Sequence, residues 1–443
     1  MTQAAGFLQN PSLFHRVLVR SRILRTTPAG ITGNTMQTAS TRRGADATPS
    51  SDTSLVIRLG LSQLVAWGAL HYIIGVFGAD IARSMGWSAV RVHGGFSVSL
   101  VVMGLSSRWV GEWIDRHGGR RAMSMGFWIG ASGCVLLALS QDVATFYLAW
   151  VVLGFAMRLS LYDAAFASLV KVKGVQSQQS MTVITLFGGL ASTAFWPLGH
   201  ALASVWGWRG ALVAYAAILV VSSLLLRAIP RAATAQGVAR TEPAGSETVL
   251  PVPLEAAKTA AYGLGATLIL FMQAGMAAHF IELLSRLGWA IGVVVAMSTM
   301  LGIGQLLGRL YMVFHGHRFP ILWMNLLPPS LLLLSYGLYF NGGQSIVLAG
   351  AFALLYGAGN GISTITRGAV PVALFGAKGY GARVGRVLRP AFFASAAAPM
   401  AFAWTITQWG AQATVSINVA FSAVLLGTAG TLIHLDRKTR RST

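Results

Sequence analysis

Two charged side chains set within one apolar run are the most informative chemical groups in this sequence. They are Arg158 and Asp163, in the segment Gly154-Phe-Ala-Met-Arg-Leu-Ser-Leu-Tyr-Asp. Counting 1.5 Å per helical residue from Ala144 puts Arg158 roughly 21 Å along the run. A charge held among hydrocarbon costs at least about 2.5–3.5 kcal/mol on insertion scales, so neither side chain can face lipid. Arg158 carries a planar guanidinium that matches a carboxylate or phosphate, which makes it the first candidate for binding an anion. The alternative is a structural bond, either to Asp163 or to a neighbouring helix. Their spacing does not stack the two on one helical face, which weakens the direct pair.

A second charged position closes the segment Gly357-Ala-Gly-Asn360-Gly-Ile-Ser-Thr-Ile-Thr-Arg367. Arg367 reaches a depth similar to that of Asp163, so the two are candidates for a gate or proton-coupling bridge that exists while the cytoplasmic side is shut. Arg367 could equally reach out to lipid headgroups. Further candidates for contact with a substrate are His71, Tyr72, His279, Gln305 and Asn360, with Gln63, Glu282 and Arg309 as other polar groups inside apolar runs. A lone His or Gln among helices more often makes an interhelical hydrogen bond than holds a ligand. Asp163 and Glu282 are the acids at depths useful for proton coupling, Glu282 lying close to the outer surface.

Several chemistries have no residues to carry them. There is no Gly-x4-Gly-Lys-Ser/Thr cradle for a nucleotide phosphate, no Gly-x-Ser-x-Gly elbow and no Cys/His cluster at metal-site spacing. The reading is therefore of a protein that is not an enzyme and needs no cofactor or metal. The single cysteine, Cys134, has no partner for a disulfide and falls inside an apolar run as a small packing residue.

These groups must be positioned by elements that live in lipid. Of 443 residues 54% are hydrophobic and 10% charged, against about 25% charged in a soluble domain. Mean hydropathy is +0.63. The net charge of +21 does not point to nucleic acid, because the basic residues fall between the apolar runs. Twelve such runs are read, with cores near 55–77, 90–110, 122–140, 144–170, 181–205, 211–226, 259–284, 290–313, 320–340, 346–365, 390–409 and 413–435. Each must be helical, since barrel strands would be about half as long. With both termini in the cytoplasm, the outer connections hold only Arg83, Arg91, Arg209 and Arg286 as basic residues, an asymmetry that fixes the orientation.

Residues 1–54 are rich in arginine and poor in acids, and lack the apolar stretch of a secretory signal. They read as a disordered basic tail, as an organelle-targeting segment, or as the product of an upstream start with Met36 as a later one. The connection 230–258 carries four prolines and reads as a flexible cytoplasmic linker between a bundle at 55–229 and a second at 259–435, with a tail at 436–443. An internal echo supports the division. Gly111, Gly119 and Arg121 follow the second run as Gly308, Gly316 and Arg318 follow the eighth, with Met312 standing where the first copy has Asp115.

The second and third runs are joined by Gly111-Glu-Trp-Ile-Asp-Arg-His-Gly-Gly-Arg-Arg121. The pattern Gly-x3-Asp-Arg-x-Gly-x-Arg-Arg resembles the signature loop of the major facilitator superfamily of secondary transporters, matching at Gly111, Asp115, Arg116, Gly118, Arg120 and Arg121. The resemblance implies an all-α membrane protein of twelve transmembrane helices in two six-helix bundles. It also implies a site between the bundles lined by helices one, four, seven and ten. Asp115 would rest against the start of the eleventh helix, where a helix N-terminus favours a carboxylate, and with the arginines would form a latch that breaks when the inside opens. The bland reading of the same loop is a positively charged turn that only sets topology. Trp196-Pro197-Leu198-Gly199 resembles loosely the Gly-Pro motif of drug antiporters, yet has Trp196 where a glycine precedes the proline.

The function expected is alternating-access transport of a small organic anion, such as a monocarboxylate, coupled to protons, in a bacterial inner membrane and as a monomer. The texture is similar to bacterial monocarboxylate-type members. Efflux of a neutral or cationic toxic compound, or a membrane sensor without flux, are the other classes that fit.

Overall fold

The computed structural model describes residues 49–230, 252–343 and 345–442. The basic segment up to 48 and the linker residues 231–251 lie outside the described residues, as does the expectation of disorder made for them. Among the described residues the regular elements are helical throughout, as a bilayer solvent demands of a chain that must satisfy its own backbone. They are α1 Pro49–Ala66, α2 Ile73–Met85, α3 Ala89–His117, α4 Gly119–Leu139, α5 Val143–Ser160, α6 Tyr162–Lys173, α7 Ser177–Gly189 and α8 Ala191–Ser222 in the first half. The second half holds α9 Val252–Ser285, α10 Ile291–His315, α11 Ile321–Met324, α12 Leu327–Tyr339, α13 Ile346–Phe375, α14 Tyr380–Val387 and α15 Arg389–Ser442.

Among the described residues nine stretches are long and apolar enough to cross a membrane. Two of them are too long for one crossing of about 30 Å. The stretch 143–228 contains three of the twelve expected runs and 380–440 contains two, so the nine accommodate twelve. The sharp reversals inside them fall where only glycine is comfortable, at Gly174 with φ 56° between α6 and α7, Gly207 with φ 65° in α8 and Gly410 with φ 85° in α15. Elsewhere polar caps end the helices. Ser88 accepts from the Arg91 amide at 3.3 Å, and Asp142 accepts from the Thr145 amide at 2.9 Å in a reciprocal capping box. That amide holds the exposed Asp142 carboxyl below its ordinary range.

Helix boundaries depart from the expected ones at three places. α1 starts at Pro49, inside the segment set aside as tail. α9 starts at Val252, so the last residues assigned to the linker are helical, and α15 runs to Ser442 through the assigned C-terminal tail. The early start of α9 has a visible cause: Glu255 pairs with Arg383 at 2.6 Å, and the buried Lys258 ammonium lies 3.6 Å from Asp436.

Large apolar side chains divide between an interior and a lipid-facing surface. Trp150, Phe127, Phe166, Tyr215, Tyr336 and Phe352 are fully buried, whereas Trp109, Val205 and Met400 are 70%, 72% and 77% exposed. Such exposure would be a liability in water and is the natural state of a helix in lipid. Within the second half, α10 and α13 approach to backbone contact. A Cβ at Gly304 or Gly308 would overlap the backbone carbonyls of Leu354 and Ala358, and one at Gly357 or Gly361 those of Leu301 and Gln305. Small residues on both faces allow that approach.

Candidate functional site

Arg309 provides the centre from which the site can be built. It stands on α10, is 7% exposed, and its Nε has no hydrogen-bond partner. Its guanidinium crosses from the second half to the first, where it lies over Gly189 at the end of α7; a Cβ on that glycine would overlap Nη1. Among the described residues no carboxylate lies within 4 Å of it. Tyr72 and Tyr162 fall within its electrostatic reach.

Beside it stands an aromatic wall, set up by an irregularity in the first crossing. Between α1 and α2 the chain makes a π-helical turn over Trp67–His71, with the Tyr72 amide bonded back to the Trp67 carbonyl at 3.1 Å. Such turns widen a helix locally and recur at functional sites. The turn brings Trp67, His71 and Tyr72 together, with ring centroids 4.6 Å apart for Trp67 and His71 and 5.5 Å for His71 and Tyr72. Phe96 of α3 closes on His71 at 5.1 Å and Tyr162 of α6 on Trp67 at 4.9 Å. The Trp67 Nε1 and His71 Nδ1 atoms are buried without partners. His71 and Tyr72, read from the sequence as substrate contacts, thus sit in one cluster with Arg309.

The fourth crossing is broken between α5 and α6, at an extended Leu161 with φ −77° and ψ −175°. The break leaves the Ser160 carbonyl free to accept from Gln63 Nε2 at 2.8 Å. It also puts Asp163 in the first turn of α6, where helix N-terminal amides compensate a carboxylate. Asp163 forms no ion pair with Arg367 within 4 Å, and Arg158 of the same crossing lies within its electrostatic reach. Arg367 instead offers its carbonyl to the Tyr262 hydroxyl at 2.8 Å, and its Nε is unpartnered. Tyr262 and Tyr380 are within electrostatic reach of both Asp163 and Arg367, so the four form one cluster.

Arg158, a candidate for binding an anion, is bonded within its own half, and its Nη1 is buried without a partner. Buried to 2% exposure, it donates through Nε to the Ser107 Oγ at 3.0 Å and through Nη2 to the Ser107 carbonyl at 3.2 Å. Both bonds go to α3 in the same half, which is the structural alternative stated for it. Asn360 and Gln305 are both half-buried: the Asn360 carbonyl accepts from the Ser363 and Thr364 hydroxyls, and the Gln305 backbone underlies Gly361. His279 is engaged on both ring nitrogens, by Glu282 at 3.0 Å and by the Pro399 carbonyl at 2.9 Å.

At the end of α3 the two halves meet. Asp115 accepts from the Gly381 amide through Oδ1 at 3.0 Å and from the Ala382 amide through Oδ2 at 2.7 Å, both in the first turn of α14. The helices can approach because Gly111 faces the Gly381 carbonyl and Gly385 faces the Ser107 carbonyl, and a Cβ at either would overlap backbone. Lys171 of α6 caps the end of α3, donating to the Ile114 and Asp115 carbonyls. Gly118, at φ 87°, turns the chain into α4. The arginines of the loop take no part in the contact. Arg116 pairs with Glu112 one turn back at 3.6 Å, Arg120 lines a groove with Ser124, Trp128 and Arg227, and Arg121 is exposed.

Sequence reading gave Arg309 no special weight beside Arg158, and it did not find Trp67 or Tyr162. An arginine followed by an apolar turn on the eighth run was the available signal for the first. Nothing in the sequence marks the π-turn or the break at Leu161, which contain neither proline nor a helix-breaking pair.

Comparison with known proteins agrees with this architecture. The family model of the Major Facilitator Superfamily matches residues 59–379. Among solved structures, the proton:xylose symporter XylE bound to 6-bromo-6-deoxy-D-glucose is 14% identical, aligned over 85% of this chain and 94% of its own, with a TM-score of 0.66. The human organic anion transporter MFSD10 (TETRAN) is 19% identical over 86% of this chain and 100% of its own, with a TM-score of 0.64. At these identities the likeness is one of fold. A comparison with curated protein sequences gives no match.

Proposed function

The chain belongs to the major facilitator superfamily, and from that premise we propose that it is a secondary transporter carrying a small organic anion, such as a monocarboxylate, by alternating access coupled to protons. The observation that supports the substrate class is Arg309, a buried guanidinium between the halves with no carboxylate beside it. A buried charge left without a partner is costly, and the natural partner for this one is an anionic cargo. The aromatic wall of Trp67, His71, Tyr72, Phe96 and Tyr162 suits an apolar body attached to that anion. A cationic cargo would meet like charge here.

In this reading the Asp115 contact is the cytoplasmic latch. It holds α3 to α14 while the inside is closed and is released when the halves rock apart. The arginine distribution supports a cytoplasmic face for the latch; the reading further takes the protein to act as a monomer in a bacterial inner membrane.

The test is uptake of a labelled organic-acid panel into vesicles carrying the full chain, with imposed proton gradients of either sign. The proposal expects at least one monocarboxylate to accumulate with an inward proton gradient, and Arg309→Ala to abolish this. Flux of cationic or neutral compounds with none of acids would favour efflux of such compounds and overturn the substrate class.

A further inference from the structure

His279 lies on α9 near its outer end, well away from Arg309 in sequence, and its ring has an unusual pair of neighbours. Nδ1 is 3.0 Å from Glu282 Oε2 and Nε2 is 2.9 Å from the Pro399 carbonyl oxygen on α15. A carbonyl can only accept. Glu282 also takes Arg286 Nη2 on its other oxygen at 3.0 Å, an ion pair suited to its ionised form, which only accepts as well. A neutral imidazole has one N–H and could serve only one of these acceptors, leaving a ring lone pair pointed at an oxygen at hydrogen-bond distance. The arrangement is satisfied when the ring carries both protons. Were the extra proton to sit on Glu282 instead, the pair would still hold one proton more than neutral histidine and carboxylate.

We propose that His279 with Glu282 is a proton-binding site, loaded in the conformation seen here, and that its proton ties α9 to α15 at the kink made by Pro399. The Phe402 ring lies parallel to the imidazole at 6.3 Å and shields it on the α15 side. From its own helix the charged neighbours are Glu282 and, through it, Arg286. Among the described residues no charged group of α10, α13, α14 or α15 forms an ion pair or hydrogen bond with it. Glu282 is 41% exposed at its side chain, so protons can reach the site from the outer face. α15 follows directly on α14, the helix that Asp115 holds. In this proposal loading favours the latched conformation, because the tie between α9 and α15 within the second half sets the angle of the arm that carries α14 to α3. Sequence reading had set His279 among substrate contacts; its two occupied nitrogens leave it none to offer. The role in coupling rests on the transport reading above, whereas the protonation state does not.

The experiment has two arms on the full chain in lipid nanodiscs. In the first, ring nitrogens are observed by NMR with ¹⁵N-labelled histidine, the His279 signals being assigned by their loss in His279→Gln. Both nitrogens should carry a proton while the latch is closed, and Glu282→Gln should leave one bare. In the second, spin labels on cysteines replacing His117 and Arg386 report the distance across the cytoplasmic ends. Raising the pH from about 5 to about 9, the range of histidine switches, should lower the ratio of closed to open forms. The expected factor is about five or more, within the usual size of a coupling, and it should vanish in His279→Gln. A singly protonated His279 ring beside an ionised Glu282, read from the carboxyl ¹³C shift, in the closed form overturns the proposal, as does an unchanged pH response in the variant. Failure to transport organic acids would leave the first arm intact, so the two readings fail separately.

Discussion

The Asp115 carboxylate and the Ala382 amide meet at 2.7 Å across the junction between the two halves, with the Gly381 amide completing the grip at 3.0 Å. Each oxygen serves one donor at a helix N-terminus, so charge and geometry act together. Asp115→Asn keeps the shape but has one acceptor oxygen and no charge. Hydrogen bonds to charged groups contribute about 1.5–3 kcal/mol, so the closed form should lose roughly 10- to 150-fold in relative population. Labelling of a cysteine at position 107 or 110 from the cytoplasmic side should become correspondingly faster.

Gly111 controls the same contact by shape. Its Cα faces the Gly381 carbonyl so closely that a side chain cannot be accommodated without separating α3 from α14. Gly111→Val should therefore open the cytoplasmic side as Asp115→Asn does, but independently of salt concentration, in the same labelling assay.

Much of this plan is legible in the sequence because lipid imposes simple rules. Apolar length fixes the crossings, and all twelve expected runs fall on helix. The position of Asp115 at the end of α3 could be read from the loop, and the resemblance pointed it to the start of the eleventh helix, whereas the particular amides of Gly381 and Ala382, 266 and 267 residues away, come from the fold. The arginine roles were less legible. Arg158 and Arg309 are both arginines within apolar runs, and what separates them is whether a polar group of a neighbouring helix is in reach: Ser107 serves the first, and the second lies over a glycine. Periodicity carries no information on that difference.

Arg158 should behave as a packing residue. Arg158→Ala removes both bonds to Ser107 and leaves the Ser107 hydroxyl buried, which should lower thermal stability in detergent by an amount equivalent to about 1–3 kcal/mol. In the fraction that folds, KM for whichever anion is carried should stay within a few-fold of the parent. A large rise in KM with stability unchanged would restore Arg158 as the anion site.

Lys258 and Asp436 offer an asymmetry in stability. The Lys258 side chain is 1% exposed, with Asp436 at 3.6 Å. Asp436→Asn leaves a buried ammonium without its counter-charge and should cost about 3–5 kcal/mol, while Lys258→Met removes the charge with little loss of volume and should cost far less. Thermal unfolding of the two variants in the same detergent checks the order.

The account stands most directly on what Arg309 binds. Trp67 lies in the same cluster, so tryptophan fluorescence of the full chain can be titrated with short-chain and aromatic carboxylates and with their uncharged amides. A carboxylate should quench saturably where its amide does not, and Arg309→Ala should weaken that binding roughly 10-fold or more, the scale of a lost charged hydrogen bond. Equal binding of acid and amide, or an Arg309→Ala titration that overlays the parent, would contradict it.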